Sequence, residues 1–106
     1  MGNERPGSDR GAAPQIEHRP DQHRFEAVAD GGHGAIEYRL HEGVMTLVHT
    51  EVDPALEGQG VAGALVQAAL DHARTRGLKI DPVCGYARKY MERHPETMAL
   101  HVDKTE

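Results

Sequence analysis

The sequence has one cysteine, no tryptophan, one phenylalanine and three tyrosines among 106 residues. A single cysteine, Cys84, excludes an internal disulfide and any zinc site built on paired cysteines, and it agrees with a reducing compartment. With so few aromatics, the core must be built from Val, Ile, Leu, Ala and Met, and it is small. No apolar run approaches the roughly 18 to 20 residues of a membrane span, and the opening MGNERPGSDRGAAPQ lacks the apolar stretch of a secretory signal. A myristoylation reading of Gly2 fails because Pro6 stands where Ser or Thr is needed. The expected location is the cytoplasm, with no membrane partner. Positive charge is also scarce. Twelve Lys and Arg against 17 Asp and Glu leave a net charge of -5, which argues against a nucleic-acid partner held by a broad basic surface. The one basic cluster, Arg88, Lys89 and Arg93, is local and reads first as a solvated face. Eight histidines are present, but they are scattered without HExxH or another ligand spacing, so no metal is expected.

What is there fits one domain with one core. Residues 1–22 are rich in Gly, Pro, Arg, Asp and Gln without hydrophobic period, and they are expected to form a disordered tail ahead of a domain spanning 23–106. FEAVA at 25–29 and AIEYRL at 35–40 alternate on either side of a turn at GG and His33, which predicts a hairpin. After HEG at 41–43, VMTLVHTEV at 44–52 predicts a third strand, apolar on both faces. Strict alternation would put Met45, Leu47, His49 and Glu51 on one face of that strand, with Val48 and Val52 opposite. Beyond Asp53 and Pro54 the period becomes helical. Val61, Ala62, Leu65, Val66, Ala69, Leu70 and Ala73 form one stripe of a helix predicted near 59–76 and closed by Gly77. LKIDPVC at 78–84 predicts a short strand parallel to 44–52, with Pro82 marking an edge or the end of pairing. GYARKYMER at 85–93 predicts a last helix, and MALHV a further short strand within 96–106. The fold class is α+β.

The junction between strand 44–52 and the helix carries the strongest chemical signal. Gly58, Gly60 and Gly63 allow backbone to approach a ligand, and the free amides at a helix start favour an anion. The competing reading is a glycine-rich loop that only turns the chain. No GK[ST] follows for a P-loop, and the spacing does not fit a Rossmann GxGxxG. Cys84, between a strand and a helix start, is either a nucleophile whose thiolate the helix dipole favours or a small buried hydrophobe. His49 is either a proton acceptor sharing a wet site with Glu51 or a core histidine satisfied by backbone.

The segment Glu57, Gly58, Gln59, Gly60, Val61, Ala62 resembles the [RQ]xxGx[GA] turn of the GNAT superfamily of acetyltransferases, with Glu57 where that pattern has Arg or Gln. HTEV at 49–52, EGQGVA at 57–62 and CGY at 84–86 occur in the order found in small stand-alone YjdJ-type N-acetyltransferase-like domains, and this similarity covers about residues 23–103. The resemblance implies a GNAT-like fold, an antiparallel meander followed by helix, parallel strand and short helix, with the central strands splayed around acetyl-CoA as cosubstrate. It implies that the backbone of Glu51 and Val52 pairs with the pantetheine arm, and that Gly58, Gln59, Gly60, Val61, Ala62 and Gly63 surround the pyrophosphate. It also implies that Tyr86 protonates the departing CoA sulfur, and that Arg88, Lys89 and Arg93 meet the 3'-phosphate or stay solvated. Acyl transfer to an amine, on a small molecule or a protein, would use His49 as base or an acyl-Cys84 intermediate. The alternative is a non-catalytic acyl-CoA-binding or protein-interaction module with the same fold.

Overall fold

The computed structural model describes residues 14–29 and 31–102. Five strands form one sheet in sequential order: β1 Gln15–Arg19, β2 Arg24–Ala29, β3 Gly32–His41, β4 Val44–Val52 and β5 Lys79–Pro82. The first four are antiparallel and β5 lies parallel to β4. The α-helices are α1 Val61–Arg76, between β4 and β5, and α2 Gly85–Arg93. A parallel strand needs a crossover, and α1 supplies it.

The β3–β4 hairpin turns through Glu42 and Gly43, both at positive φ (50° and 82°), the two-residue geometry whose twist matches the flanking strands. The apolar stripe of α1 packs on the sheet. Leu65, Val66, Ala69, Leu70 and Ala73 are fully buried against Phe25, Ile36, Tyr38, Met45, Leu47 and Ile80, and each large aliphatic contributes roughly 1.5–3 kcal/mol by leaving water. The other sheet face carries Glu37, Arg39, His49 and Glu51. Gly77, at φ 70°, ends α1. Its amide bonds Arg74 O at 3.3 Å and the Leu78 amide bonds Ala73 O at 2.8 Å, so two terminal carbonyls are satisfied. Among the described residues no helix is long and apolar enough to cross a membrane.

Two segments differ from expectation in which elements they form. The stretch read as a tail contains β1, paired from Gln15↔Val28 to Arg19↔Arg24, and a 3-10 turn at Pro20–Gln22; residues 1–13 of that expected tail lie outside the described residues. The order at β1 comes from long-range partners. His18 stacks on Phe25 with ring centroids 4.2 Å apart, meets His72 of α1 edge-on at 4.5 Å, and its Nε2 lies 2.6 Å from the Tyr38 hydroxyl. The second difference is MALHV. Residues Pro95–Leu100 form a 3-10 helix, with Thr97 Oγ1 donating to His94 O at 2.7 Å, and only His101 bridges Ile80 on the outer edge of β5.

Candidate functional site

The site begins where β4 and β5 part. They pair from Val44↔Lys79 to Leu47↔Pro82. One further bond, Cys84 N–H to Leu47 O at 2.8 Å, closes the seam before the chain turns into α2. Regular pairing stops because the Val83 amide, next in line to face β4, turns back to Asp81 O at 3.0 Å and because β4 changes course. Tyr38 pairs with Leu47 while Glu37 pairs with His49, so Val48 is an extra residue, a β-bulge.

The bulge reverses both periodicities of β4. Beyond it, Thr50 faces Ile36, which is fully buried under α1, so Thr50 and Val52 share the helix-covered face. His49 and Glu51 take the opposite face. This overturns the expected grouping of Met45 and Leu47 with His49 and Glu51, because one inserted residue flips every later side chain. The backbone edge switches too. Asp53 N–H donates to His33 O at 3.0 Å, and hydrogen-bonded pairs recur at every second residue of an antiparallel ladder. Glu51 therefore spends its amide and carbonyl on β3, while Thr50 and Val52 turn theirs toward the open cleft.

The cleft leads to the start of α1. After the 3-10 turn Pro54–Leu56, anchored by buried Leu56, the chain passes through Gly58 at φ 86° and Gly60 at φ 78°. A Cβ at either position would meet nothing within 4 Å, so glycine is required there for its left-handed backbone and not for space. The first bond of the helix is Ala64 N–H to Gly60 O at 3.0 Å, and no side chain caps its start. The amides of Val61, Ala62 and Gly63 therefore have no acceptor within the helix. Val52, Leu56, Glu57, Gly58, Tyr86 and residues 60–63 line an open pocket of about 230 Å³. Gln59 turns away, donating from Nε2 to Ala55 O at 3.3 Å.

Gly63 adds the link to α2. A Cβ on it would lie 3.5 Å from the Tyr86 hydroxyl and 3.4 Å from Cε2 of Tyr90, ordinary contact distances, so both tyrosines pack over the first turn of α1. Tyr90 is held by its hydroxyl, which donates to Gln67 Oε1 at 2.6 Å. Tyr86 is 44% exposed, open to whatever enters the pocket.

Cys84 lies at the base of the cleft, half-buried, with Sγ 3.2 Å from Thr50 Oγ1. Burial pushes the thiol up. Hydrogen bonds from the Thr50 hydroxyl and from the backbone of Ala87, Tyr86 and Thr50 outweigh it and bring the group below its ordinary value of 9.0. No side-chain cap bond forms at the start of α2, and the close side-chain partner of the sulfur is Thr50.

The structure thus gathers Cys84, Tyr86, Val52, Gly58, Gly60, Val61, Ala62 and Gly63 around one cleft. It leaves out the side chains of His49, Glu51 and Gln59. His49 is 56% exposed, with Nε2 3.7 Å from Glu51 Oε1, so these two share a wet surface as anticipated, on the face away from Cys84. Arg88, Lys89 and Arg93 are exposed, and Arg88 Nη2 donates to Val83 O at 3.3 Å. Among the described residues no three of His, Cys, Asp and Glu are grouped to hold a metal ion. Thr50 and Leu56 are the site residues that sequence reasoning missed. Leu56 had a signal, an apolar residue two positions after Pro54; Thr50 had none, because its placement depends on the bulge.

The family model described as GCN5-related N-acetyl-transferase matches residues 24–100. Protein NATD1 of Gallus gallus is 33% identical over 91 residues, covering 82% of each chain, and Protein NATD1 of Homo sapiens is 32% identical over 91 residues, covering 82% of this chain and 80% of the relative. The solution structure of a GCN5-like candidate N-acetyltransferase from Staphylococcus aureus superposes with a TM-score of 0.67 at 26% identity, covering 87% of this chain and 91% of that one. The splayed sheet, the glycine turn at the head of α1 and these relatives agree: the chain belongs to the GCN5-related N-acetyltransferase family.

Proposed function

We propose that the protein binds acetyl-CoA in the cleft between β4 and β5 and transfers the acetyl group to an amine on a small molecule or protein. The observation that carries this reading is the continuous path from Cys84, along the free edge of Thr50 and Val52, to the three uncapped amides of Val61, Ala62 and Gly63. The donor set fits the ligand. A diphosphate needs converging N–H groups at a helix start without obstruction by Cβ atoms, and the turn provides both. The amides of α1 would hold the pyrophosphate, and the edge of β4 would pair with the pantetheine arm.

The acetyl thioester supplies an activated carbonyl. Placement favours Cys84 as nucleophile over His49 as base. Cys84 Sγ would bond to the carbonyl carbon as the bond to the CoA sulfur breaks, and the departing thiolate would take a proton from the Tyr86 hydroxyl. An amine would then displace the acetyl group from Sγ, restoring the cysteine thiolate, and the proton the amine loses would return through water to the Tyr86 oxygen. The net charge of -5 and the single short basic cluster support a site of action away from nucleic acid, and we place the protein in the cytoplasm.

One observation favours a second reading, acyl-CoA binding without turnover: the imidazole proposed as a base lies on the sheet face away from the thiol. Two measurements decide. Acetyl-CoA at 100 times its dissociation constant stabilises the folded state by about 2.7 kcal/mol, which a thermal melt reads directly. Intact-mass analysis should then show an acetyl adduct that is absent in Cys84→Ser and is discharged by amines. No thermal shift at millimolar acetyl-CoA would sink the whole proposal; a shift with neither adduct nor acetylated amine would establish the binding module.

A further inference from the structure

We infer that Thr50 is a positioning residue for Cys84, holding its sulfur as a hydrogen-bonded thiolate where β4 and β5 part; the inference deepens, and rests on, the acyl-transfer reading. Three independent features of the backbone converge on this pair. The bulge at Val48 turns Thr50 from the open face of the sheet to the face it shares with Ile36. The alternation set by the Asp53–His33 bond sends the Thr50 amide to the cleft edge. The Cys84–Leu47 bond, at 2.8 Å, brings the sulfur to that same edge, 3.2 Å from Thr50 Oγ1.

Chemistry then sets the direction of the hydrogen bond. A thiolate has no proton and accepts only, so the Thr50 hydroxyl must donate to it. Hydroxyl and amide of one residue thus bracket the sulfur from β4, while the first turn of α2 faces it from the other side. Charged neighbours are not placed to do this. The His49 ring lies on the opposite sheet face beside Glu51, the Arg88 guanidinium is engaged with Val83 O, and the Tyr86 hydroxyl lies against Gly63. A sulfur held here meets the thioester carbon with its lone pairs oriented, which is the role assigned to Thr50.

The test uses Thr50→Val, which keeps the shape and loses the hydroxyl, and Thr50→Ser, which keeps the hydroxyl. Alkylation of Cys84 by iodoacetamide is followed against pH by intact mass, without acyl-CoA. Losing a hydrogen bond to a charged group should cut the thiolate fraction about tenfold near pH 7. The Thr50→Val profile should therefore move upward by about one pH unit while Thr50→Ser stays near the parent. Acetyl-adduct formation should slow by a similar factor near pH 7 and recover as pH rises, in step with the displaced alkylation profile. Superimposable alkylation profiles for Thr50→Val and the parent would overturn the inference, as would Thr50→Ser shifting as far as Thr50→Val, since that would mark packing. Because alkylation needs no acyl-CoA, a shifted profile with no acetyl adduct in any variant supports the Thr50–Cys84 pairing and overturns acyl transfer alone.

Discussion

Gly34→Ala tests whether the end of β4 and the start of α1 are held as close as the site requires. Gly34 pairs with Val52 across the β3–β4 ladder. A Cβ built on it would lie 3.0 Å from Glu51 O, 3.1 Å from Val52 Cγ2 and 3.3 Å from Val61 Cγ1. The first contact is with a backbone oxygen, which cannot rotate away, and the other two involve a strand residue at the cleft edge and the first residue of α1. Overpacking of this kind costs about 1–3 kcal/mol, and replacing glycine returns about 0.4–1 kcal/mol by restricting the unfolded chain. The net loss is about 1–2 kcal/mol, which for a domain of this size lowers the melting temperature by roughly 5–15 °C. Circular dichroism melts of the unliganded protein measure it, and the stabilisation by acetyl-CoA should shrink alongside, since Val52 and Val61 are displaced together. A melting temperature within about 2 °C of the parent would show that β4 and α1 yield freely, and the argument for a pre-formed cleft would be wrong.

Acid should loosen the clamp on β1. Burial, then His72 and Arg76, hold His18 below its ordinary 6.5, and burial, then Arg76, does the same to His72. Both imidazoles therefore take up protons more readily in the unfolded chain, so the stability they contribute is complete above 6.5 and is lost as pH falls through their depressed folded values. The urea midpoint should drop between about pH 7.5 and about pH 5.5, less so in His72→Gln, and a midpoint equally flat in both proteins would refute the coupling. Gly60→Ala should cost about 1–2 kcal/mol through its left-handed backbone alone, since its Cβ would meet nothing within 4 Å. The variant should also lose most of the acetyl-CoA thermal shift as the turn rearranges, and a full shift on an unchanged melting temperature would remove the turn from the site.

Local physics made much of this protein readable in advance. Two alternating strands with a short turn between them favour a hairpin, and the 3.6-residue stripe from Val61 to Ala73 marks the face that α1 buries. Gly77 after cationic residues marks a helix end, and the expected and observed ends of α1 agree there. The glycines at 58 and 60 carry the positive φ that only glycine adopts freely, which is why the turn was visible as a candidate cradle. The apolar period predicts a start of α1 near Gln59, and the helix begins at Val61, because the left-handed Gly60 delays the first helical residue.

Sequence by itself thus determined the α+β meander, the crossover helix and the glycine turn, all set chiefly by interactions within a few residues. Tertiary structure decided what depends on partners far along the chain. Gln15–Arg19 holds one aliphatic residue and becomes a strand only because β2 offers a ladder and Phe25, Tyr38 and His72 receive His18. MALHV has strand-like composition, but Pro95 and the bonds of Thr97 wind it locally. The bulge at Val48 has no composition of its own; it is a mismatch between two strands and exists only once they pair. That one residue sends His49 out of the cleft, turns Thr50 into it, and brings a hydroxyl to Cys84.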